Sequence, residues 1–174
     1  MIRRFPTFEA LSQAAAWYRK AAEQGHVEAQ AALGVMYATG DGVGEDHTEA
    51  AAWFRKAADQ GHPDAQMFLG AAYVTGRGVP QDDAQGVAWF ARAAEQGYAG
   101  AQFNLALMYA DGRGVGPDLV EAYKWLDVAA SITTGDEFAQ YSRVRDMVGG
   151  RLTMDQLTDA LRRSRAWLDA FQTR

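Results

Sequence analysis

A repeat of 36 residues runs through most of this 174-residue chain and restricts its fold more than any other feature. The clearest copy extends from Ala50 to Val79 and reads AAAWFRKAADQGHPDAQMFLGAAYVTGRGV. A fixed period of about 20–50 residues is the signature of a solenoid built from stacked units. The landmarks that recur at this spacing are Trp17, Trp53, Trp89 and Trp125; Gly25, Gly61 and Gly97; Gln30, Gln66 and Gln102; Leu33, Leu69 and Leu105; and Tyr37, Tyr73 and Tyr109.

Each unit is predicted to contain two helices, which we name helix A and helix B. In the first unit, helix A is predicted from about Phe8 to Gln24, with Thr7 as its N-cap. A glycine ends it, and helix B is predicted from about Val27 to Thr39. The following loop, GDGVGED, is rich in glycine because such turns need backbone angles that side chains oppose. Asp46 is expected to cap the next helix A.

The two helices of a unit differ in their apolar surface. Helix A of the second unit places Ala50, Trp53 and Phe54 on one side and charged residues on the other, which is typical of a half-buried helix. Helix B is apolar nearly all round, with Gln66 as its main polar residue, so we expect it to be buried between neighbours. One unit cannot cover its own apolar surface, and stacking supplies the missing walls. Each repeated tryptophan is expected to fill space within the stack.

The fourth unit begins like the others, with VEAYKWLDVAA, and then departs from the pattern. Thr134 to Glu137 and Thr153 to Gln156 each match a capping box, which predicts two further helices. Terminal units of a solenoid need a polar outer face, so residues 135–170 are interpreted as a capping helical hairpin. The chain is thus predicted to be a single repeat domain over residues 1–174. Its parts are a short lead-in at 1–6, units at about 8–42, 43–78 and 79–114, a partial unit at 115–134, and the capping helices.

Composition excludes several classes of protein. The net charge of −5 argues against nucleic-acid binding, since such proteins usually carry a basic face. The chain has no cysteine, so a disulfide framework and a thiolate metal site are impossible. No apolar run reaches the roughly 18 residues of a membrane span, and the start lacks the apolar region of a signal peptide. We therefore expect a cytoplasmic protein, or a periplasmic one if a signal peptide has been removed.

The pattern AxxWFRKAADQGxxDAQxxLGxxYxxGxGVxxD resembles the Sel-one-like repeat, a relative of the tetratricopeptide repeat with a longer loop. The resemblance covers roughly residues 8–132. It implies an all-α solenoid, a right-handed superhelix with a concave groove, which acts as an adaptor for other proteins or peptides. Some secreted relatives are cysteine-rich and are linked to binding of β-lactams or cell-wall fragments. This chain departs from them in having no cysteine.

Other motifs carry weaker hypotheses. The glycine-rich loops resemble phosphate-binding motifs, but a phosphate loop follows a strand, and no segment alternates as a strand does. His26 and His62 occupy equivalent positions at turns and lack the i, i+4 spacing of a helical metal pair; the alternative is a ladder of rings that contacts a ligand. No catalytic constellation, metal site or cofactor is predicted.

The polar face of helix A is the best candidate for a binding site. If helix A lines the concave side, residues at equivalent positions form parallel rows along a groove that could hold a peptide. The alternative is that Arg19–Glu23 and Arg55–Asp59 are ordinary surface pairs four residues apart on a helix. The rows are Ala16, Ala52, Ala88 and Lys124; Arg19, Arg55, Ala91 and Asp127; and Glu23, Asp59, Glu95 and Ser131.

The sequence therefore favours a non-catalytic scaffold that binds a protein or peptide partner in its groove, with a monomer as the default state. The predicted binding residues are Arg19, Glu23, Arg55, Asp59, Glu95 and Lys124. One alternative is a binding protein or hydrolase for small molecules or cell-wall fragments on the same array. A further alternative assigns the arginines from Arg162 to Arg165 to a membrane or partner contact.

Overall fold

A computed structural model of the chain describes residues 7–173 as nine α-helices, with no strand in that range. The predicted all-α solenoid class is confirmed, and the predicted lead-in at residues 1–6 lies outside the described residues. No helix within 7–173 combines the length and apolar composition that crossing a bilayer requires. The helices are α1 (Phe8–Glu23), α2 (Val27–Thr39), α3 (His47–Asp59), α4 (Pro63–Thr75), α5 (Asp83–Glu95), α6 (Ala99–Asp111), α7 (Leu119–Ser131), α8 (Gly135–Gly149) and α9 (Met154–Gln172).

The chain divides into two compact units, one ending at Gln81 and the other beginning at Asp82. The first unit contains α1 to α4, and each of these helices packs against the next. In the second unit, α5 packs against α6 and α6 packs against α7. Both predicted capping helices, α8 and α9, pack against α7. The helix A role thus falls to α1 and α3 in the first unit and to α5 and α7 in the second.

The helix starts follow from the predicted caps in all but one case. Thr7 accepts a hydrogen bond from the Ala10 amide, and Asp46 accepts from the first turn of α3. The capping box at Thr153 is confirmed, with both reciprocal bonds to Gln156 formed. The capping box predicted at Thr134 is wrong, because its side chain makes no cap hydrogen bond. The next residue is a glycine with φ of +64°, which turns the chain away from the usual capping geometry.

Three of the four repeated tryptophans lie in the core. Trp53, Trp89 and Trp125 are 4–6% exposed and pack between helices, as expected. The prediction is wrong for Trp17, which is 72% exposed. Its helix, α1, packs against α2 on one side, and no described helix precedes it in the stack. The first copy of the repeated tryptophan is thus exposed, whereas the three later copies are buried.

A buried glutamine joins helix B to its own helix A in successive units. The Nε2 atom of Gln30 donates to the carbonyl of Ala22 at 3.0 Å, and Gln66 donates to Ala58 at 3.2 Å. Gln102 repeats the bond with the carbonyl of Ala94. Because a buried amide without a partner is costly, these bonds explain the glutamine of the repeat motif.

The loop glycines are required by close packing. Gly78 has φ of +74°, and a Cβ atom there would lie 1.9 Å from the carbonyl oxygen of His47. Gly42 similarly lies against the main chain of Leu11. Each loop therefore rests on the first turn of helix A in its unit, where no side chain fits. This contact accounts for the glycine pattern without a phosphate ligand.

Candidate functional site

The polar face of helix A is distributed over both compact units. Four of the predicted binding residues lie in the first unit, on α1 and α3, and two lie in the second, on α5 and α7. The structure therefore provides two separate groups of these residues, and their environments differ. The first group consists of Arg19, Glu23, Arg55 and Asp59, and the second of Glu95 and Lys124.

The two arginines of the first group are held by tyrosines of helix B. The Nη2 atom of Arg19 donates a hydrogen bond to the hydroxyl of Tyr37, and Arg55 donates in the same way to Tyr73. Each guanidinium also lies near the face of its tyrosine ring, with its carbon 5.5 and 5.4 Å from the respective ring centroids. Both arginines are half-buried. They are thus fixed side chains and not freely moving surface charges.

The acidic residues of the same group are exposed to solvent. Glu23 and Asp59 are both exposed, and the ion pairs within residues 7–173 do not include Arg19–Glu23 or Arg55–Asp59. The alternative that these are ordinary surface pairs is therefore wrong, because the tyrosines take the guanidinium groups instead. The face presents anchored cations beside free carboxylates.

The charge at this repeat position reverses toward the end of the chain. The arginine of α1 and α3 becomes Ala91 in α5 and Asp127 in α7. The tyrosine of helix B becomes Arg145 in α8, and its Nη1 atom donates to Asp127 at 3.2 Å. Helix A and helix B thus remain in contact through two residues that are 18 positions apart in the sequence. The cation of this contact lies on helix A in the first unit and on α8 in the second unit. The group that α7 carries at this position is therefore a half-buried carboxylate.

Helix α9 lies against this face of helix A in the second unit. The hydroxyl of Ser164 donates to Oδ2 of Asp127 at 2.7 Å, and the indole of Trp167 donates to Oε2 of Glu95 at 3.0 Å. The Trp167 ring also meets Trp125 edge to face, with centroids 5.6 Å apart. A residue predicted to bind a partner, Glu95, thus contacts a helix of the same chain.

A charged network holds the other end of the same contact. Arg163 donates to Oε1 of Glu121 at 2.7 Å, and Lys124 donates to Oε2 of the same carboxylate at 3.3 Å. The Lys124 ammonium also lies 4.1 Å from the centroid of the Trp125 ring. The second predicted residue, Lys124, is therefore half-buried and already engaged within the second unit.

Ion pairing shifts the pKa values of two groups on α9, and burial shifts the pKa of a tyrosine on α6. Hydrogen bonds to Glu121 and then to Asp159 raise the pKa of Arg163. Hydrogen bonds from Arg162 and then from Arg163 lower the pKa of Asp159 below its usual value of 3.8. Burial, followed by the nearby Glu121, raises the pKa of Tyr109. Each shift stabilises the charge state that prevails at neutral pH.

The histidines and acidic side chains of the described residues do not form a metal cluster. Within residues 7–173, no group of three or more histidine, aspartate or glutamate side chains is placed to hold a metal ion. His62 serves as the N-cap of α4, where its Nδ1 atom accepts from the Ala65 amide at 3.4 Å. His26 stands at the equivalent N-cap position of α2. Both histidines thus occupy turns, as predicted.

Sequence reasoning missed the residues that α9 contributes. Trp167 was predicted only as part of the capping hairpin, and Arg163 only as part of that hairpin or of an arginine group that contacts a membrane or a partner. No pattern indicated that this helix meets the helix A face of α7. The bond between Arg55 and Tyr73 had a readable signal, because both residues recur 36 residues apart and stand 18 residues from each other.

Comparison with known proteins gives a consistent result. A family model described as Sel1 repeat matches residues 10–26, 27–62, 63–98 and 99–131. The crystal structure of c5321, a protective antigen of uropathogenic Escherichia coli strains displaying an SLR fold, is 40% identical with a TM-score of 0.83, covering 91% of this chain and 33% of that one. A Sel1 repeat protein from Oxalobacter formigenes is 40% identical with a TM-score of 0.67, covering 78% of this chain and 40% of that one. This chain therefore spans well under half the length of either protein. No match was found among curated proteins.

Proposed function

This chain belongs to the Sel1 repeat family, and from that premise we propose that it is a protein-interaction scaffold whose first unit binds a helix of a partner protein. The binding surface is the polar face of α1 and α3. It carries Arg19, Glu23, Arg55 and Asp59. The observation that supports the proposal most is the seating of α9 on the equivalent face in the second unit.

The contacts of α9 suggest how a partner helix binds. Shifting by two repeats, 72 residues, relates Glu121 to Glu49 and Asp127 to Arg55. The same shift relates Glu95, at the end of α5, to Glu23 at the end of α1. We consider a helix that lies on α1 and α3 in the way that α9 lies on α5 and α7. It meets the carboxylate of Glu49, then the guanidinium of Arg55, and then the carboxylate of Glu23. A groove that accepts an amphipathic helix in this way is a common mode of peptide recognition.

The charge reversal defines the partner. Where Asp127 accepts from Ser164, Arg55 requires an acceptor, and a carboxylate is the best one. Where Glu121 pairs with Arg163, Glu49 is exposed and can pair with a basic residue. The partner helix is thus expected to present a basic residue, then an acidic residue, then an aromatic residue three positions later. Complementary charges of this kind contribute more to the specificity and the rate of association than to the affinity of the complex.

The protein's own helix provides the probe for a test. A labelled peptide of residues 152–173 carrying Ser164→Glu, which supplies the carboxylate for Arg55, is titrated against the full chain by fluorescence anisotropy. We expect it to bind more tightly than the unchanged peptide. Arg55→Glu should weaken binding of the modified peptide about ten-fold, because it places two carboxylates together. A peptide with lysine at position 164 should then recover affinity for the Arg55→Glu protein.

The matched control is Arg143→Glu, which reverses an exposed arginine on α8 of the second unit that is not part of the proposed surface. It should leave the affinity of every peptide unchanged. Equal loss in Arg143→Glu and Arg55→Glu would show a general charge effect and contradict the proposal. Failure of the lysine peptide to recover binding would contradict the pairing of position 164 with Arg55.

The proposal assigns binding and no catalysis. The purified protein is therefore expected to leave β-lactams and cell-wall fragments unchanged in a turnover assay. Hydrolysis of either class that survives repurification would favour the hydrolase alternative.

A further inference from the structure

A cleft of about 360 Å³ lies between α2 and α4, with α3 as its floor. Its walls include Val35, Ala72 and the stacked rings of Phe54 and Phe68, whose centroids are 5.0 Å apart. Polar groups are few and include the side chain of Arg77. An apolar cleft of about 300–1,000 Å³ with a small number of polar groups is typical of a small-molecule site.

The second unit fills the equivalent space with an aromatic ring. Ala51 lines the cleft floor on α3, and the residue 72 positions later on α7 is Tyr123. Tyr123 is 9% exposed, and its ring lies 2.9 Å from the point where a Cβ atom on Gly149 would stand. The α7–α8 contact thus holds a ring where the α3–α4 contact has only a methyl group. A planar aromatic group is therefore the shape that this part of the fold accepts.

A different copy of the repeat, formed by α5 and α6, shows what the cleft arginine can bind. Arg113, 36 residues after Arg77, forms two hydrogen bonds to Asp83, at 3.1 and 2.8 Å. The position of Asp83 is occupied by His47 in the first unit, and His47 also lines the cleft. Arg77 consequently has no carboxylate within ion-pair distance among residues 7–173.

Two carboxylates, Glu45 and Asp41, are bound to the cleft-lining residues His47 and Thr39 and not to Arg77. Glu45 lies 3.2 Å from Nε2 of His47, and Asp41 accepts a hydrogen bond from the hydroxyl of Thr39 at 2.8 Å. Arg77 is exposed and remains the cation available to a ligand. A guanidinium binds a carboxylate with two parallel hydrogen bonds, as Arg113 does.

We propose that this cleft binds a small aromatic carboxylate. The ring occupies the space that Tyr123 fills in the second unit, against Phe54 and Phe68. The carboxylate binds Arg77, in the place that Asp83 takes beside Arg113. The site shares no residue with the polar face of α1 and α3 that is proposed to bind a helix, so the two proposals fail independently.

The probe is 4-hydroxyphenylacetate, which joins a phenol ring to a carboxylate through one methylene group. It is titrated into the ¹⁵N-labelled full chain and followed by amide chemical shifts. We expect saturable shifts at Val35, Ala51 and Ala72, with a Kd of about 1 mM or tighter for a ligand of this size. The uncharged amide of the same compound should bind at least about five-fold more weakly, because it cannot form the charged pair with Arg77.

Two variants copy features of the second unit into the cleft. His47→Asp supplies an internal carboxylate for Arg77, and Ala51→Tyr supplies the internal ring. Each should weaken binding at least about five-fold by competing with the ligand. If Ala51→Tyr does not fold, His47→Asp still tests the proposal. This variant is expected to fold, because an acidic residue at the first position of a helix is favourable. The control is Arg113→Gln, which breaks the matching pair in the second unit and should leave binding unchanged.

The proposal is supported if the chemical shifts of the cleft amides change saturably with the probe and if the probe binds His47→Asp more weakly. The absence of saturable shifts at about 5 mM probe, where a ligand of this size would be largely bound, would overturn it. Equal binding of the acid and its amide, or unchanged binding in His47→Asp, would overturn it as well. Tighter binding of a tripeptide ending in phenylalanine than of the free acid, at the same amides, would also overturn it, since the ligand would then be a peptide terminus.

Discussion

The first compact unit exposes Glu23 and Asp59 on its helix A face, whereas the second unit covers the corresponding face of α7 with α9. The backbone arrangement of helix A and helix B is shared, so the difference lies in side chains. Arg55 turns toward Tyr73 of its own unit, while Asp127 accepts hydrogen bonds from both Arg145 and Ser164. The face that receives a helix of this chain thus carries a carboxylate at the position where the open face carries a guanidinium.

The comparison also shows what the tryptophans contribute. Trp53 is covered by the ammonium group of Lys56, 3.6 Å from its ring centroid. In α7 the residue equivalent to Lys56 is Val128, and the Trp125 ring is contacted by the ammonium group of Lys124 and by the ring of Trp167. A lysine therefore lies over the ring in both units, and only in the second unit does an aromatic side chain of α9 contact it as well.

The largest effect is expected from removing the aromatic anchor of α9. Trp167→Ala should lower the free energy of unfolding of the second unit by about 3–5 kcal/mol, because it removes a buried ring that contacts Trp125 and Glu95. Denaturant unfolding followed by circular dichroism measures the change. The matched control is Trp17→Ala on the exposed surface of α1, with an expected change of about 0.5 kcal/mol or less. Equal effects at both sites would remove the contrast between the covered and open faces.

A smaller effect is expected at the acidic residue that receives α9. Asp127→Ala should cost about 2 kcal/mol, since hydrogen bonds from Arg145 and Ser164 to a charged acceptor are lost together. Hydrogen exchange of the α9 amides should rise in parallel. The control Asp59→Ala removes an exposed carboxylate from α3 and should change stability by about 0.5 kcal/mol or less. Unchanged exchange in α9 would show that Asp127 does not hold this helix.

The smallest effect on stability is expected when the pH is lowered. The folded-state pKa of Asp159 is lowered by Arg162 and Arg163, so its contribution to stability is present above the ordinary value of 3.8 and is lost as the pH falls through the folded-state pKa. Thermal unfolding of the wild type and of Asp159→Asn is compared between about pH 6 and pH 2. The Tm difference should be largest near neutral pH and shrink below about pH 4. A difference that stays constant over this range would show that the ion pairs of α9 do not contribute through Asp159.

The sequence was sufficient to predict the helices and most of the caps that it identified. The period placed α2 at Val27–Thr39, as the structure has it, and Asp46 serves as the predicted cap. These features are local, because a cap or a glycine turn depends on residues within a few positions. The capping box at Thr134 failed for an equally local reason, since the positive φ of the next glycine was not apparent from the letters.

The candidate site was predicted only in part, because its geometry depends on contacts between distant residues. The pattern identified the rows that contain Arg55 and Glu95. It did not reveal that Glu95 receives the indole of a residue 72 positions later, or that Tyr73 takes the guanidinium. Exposure of Trp17 was missed for a similar reason. A repeat predicts the same environment for every copy, and the first copy has no described helix before it.

The position of α9 has a consequence for how arrays of this type change in length. Its contacts span two successive copies of helix A, from Glu95 at the end of α5 to Glu121 and Asp127 in α7. Gain or loss of whole 36-residue units before Asp83 leaves all these contacts in place. An insertion between Gln96 and Asp118 would separate the two halves of the docking site. Duplication and deletion are thus tolerated on one side of α5 and penalised on the other, so the array has a direction of growth.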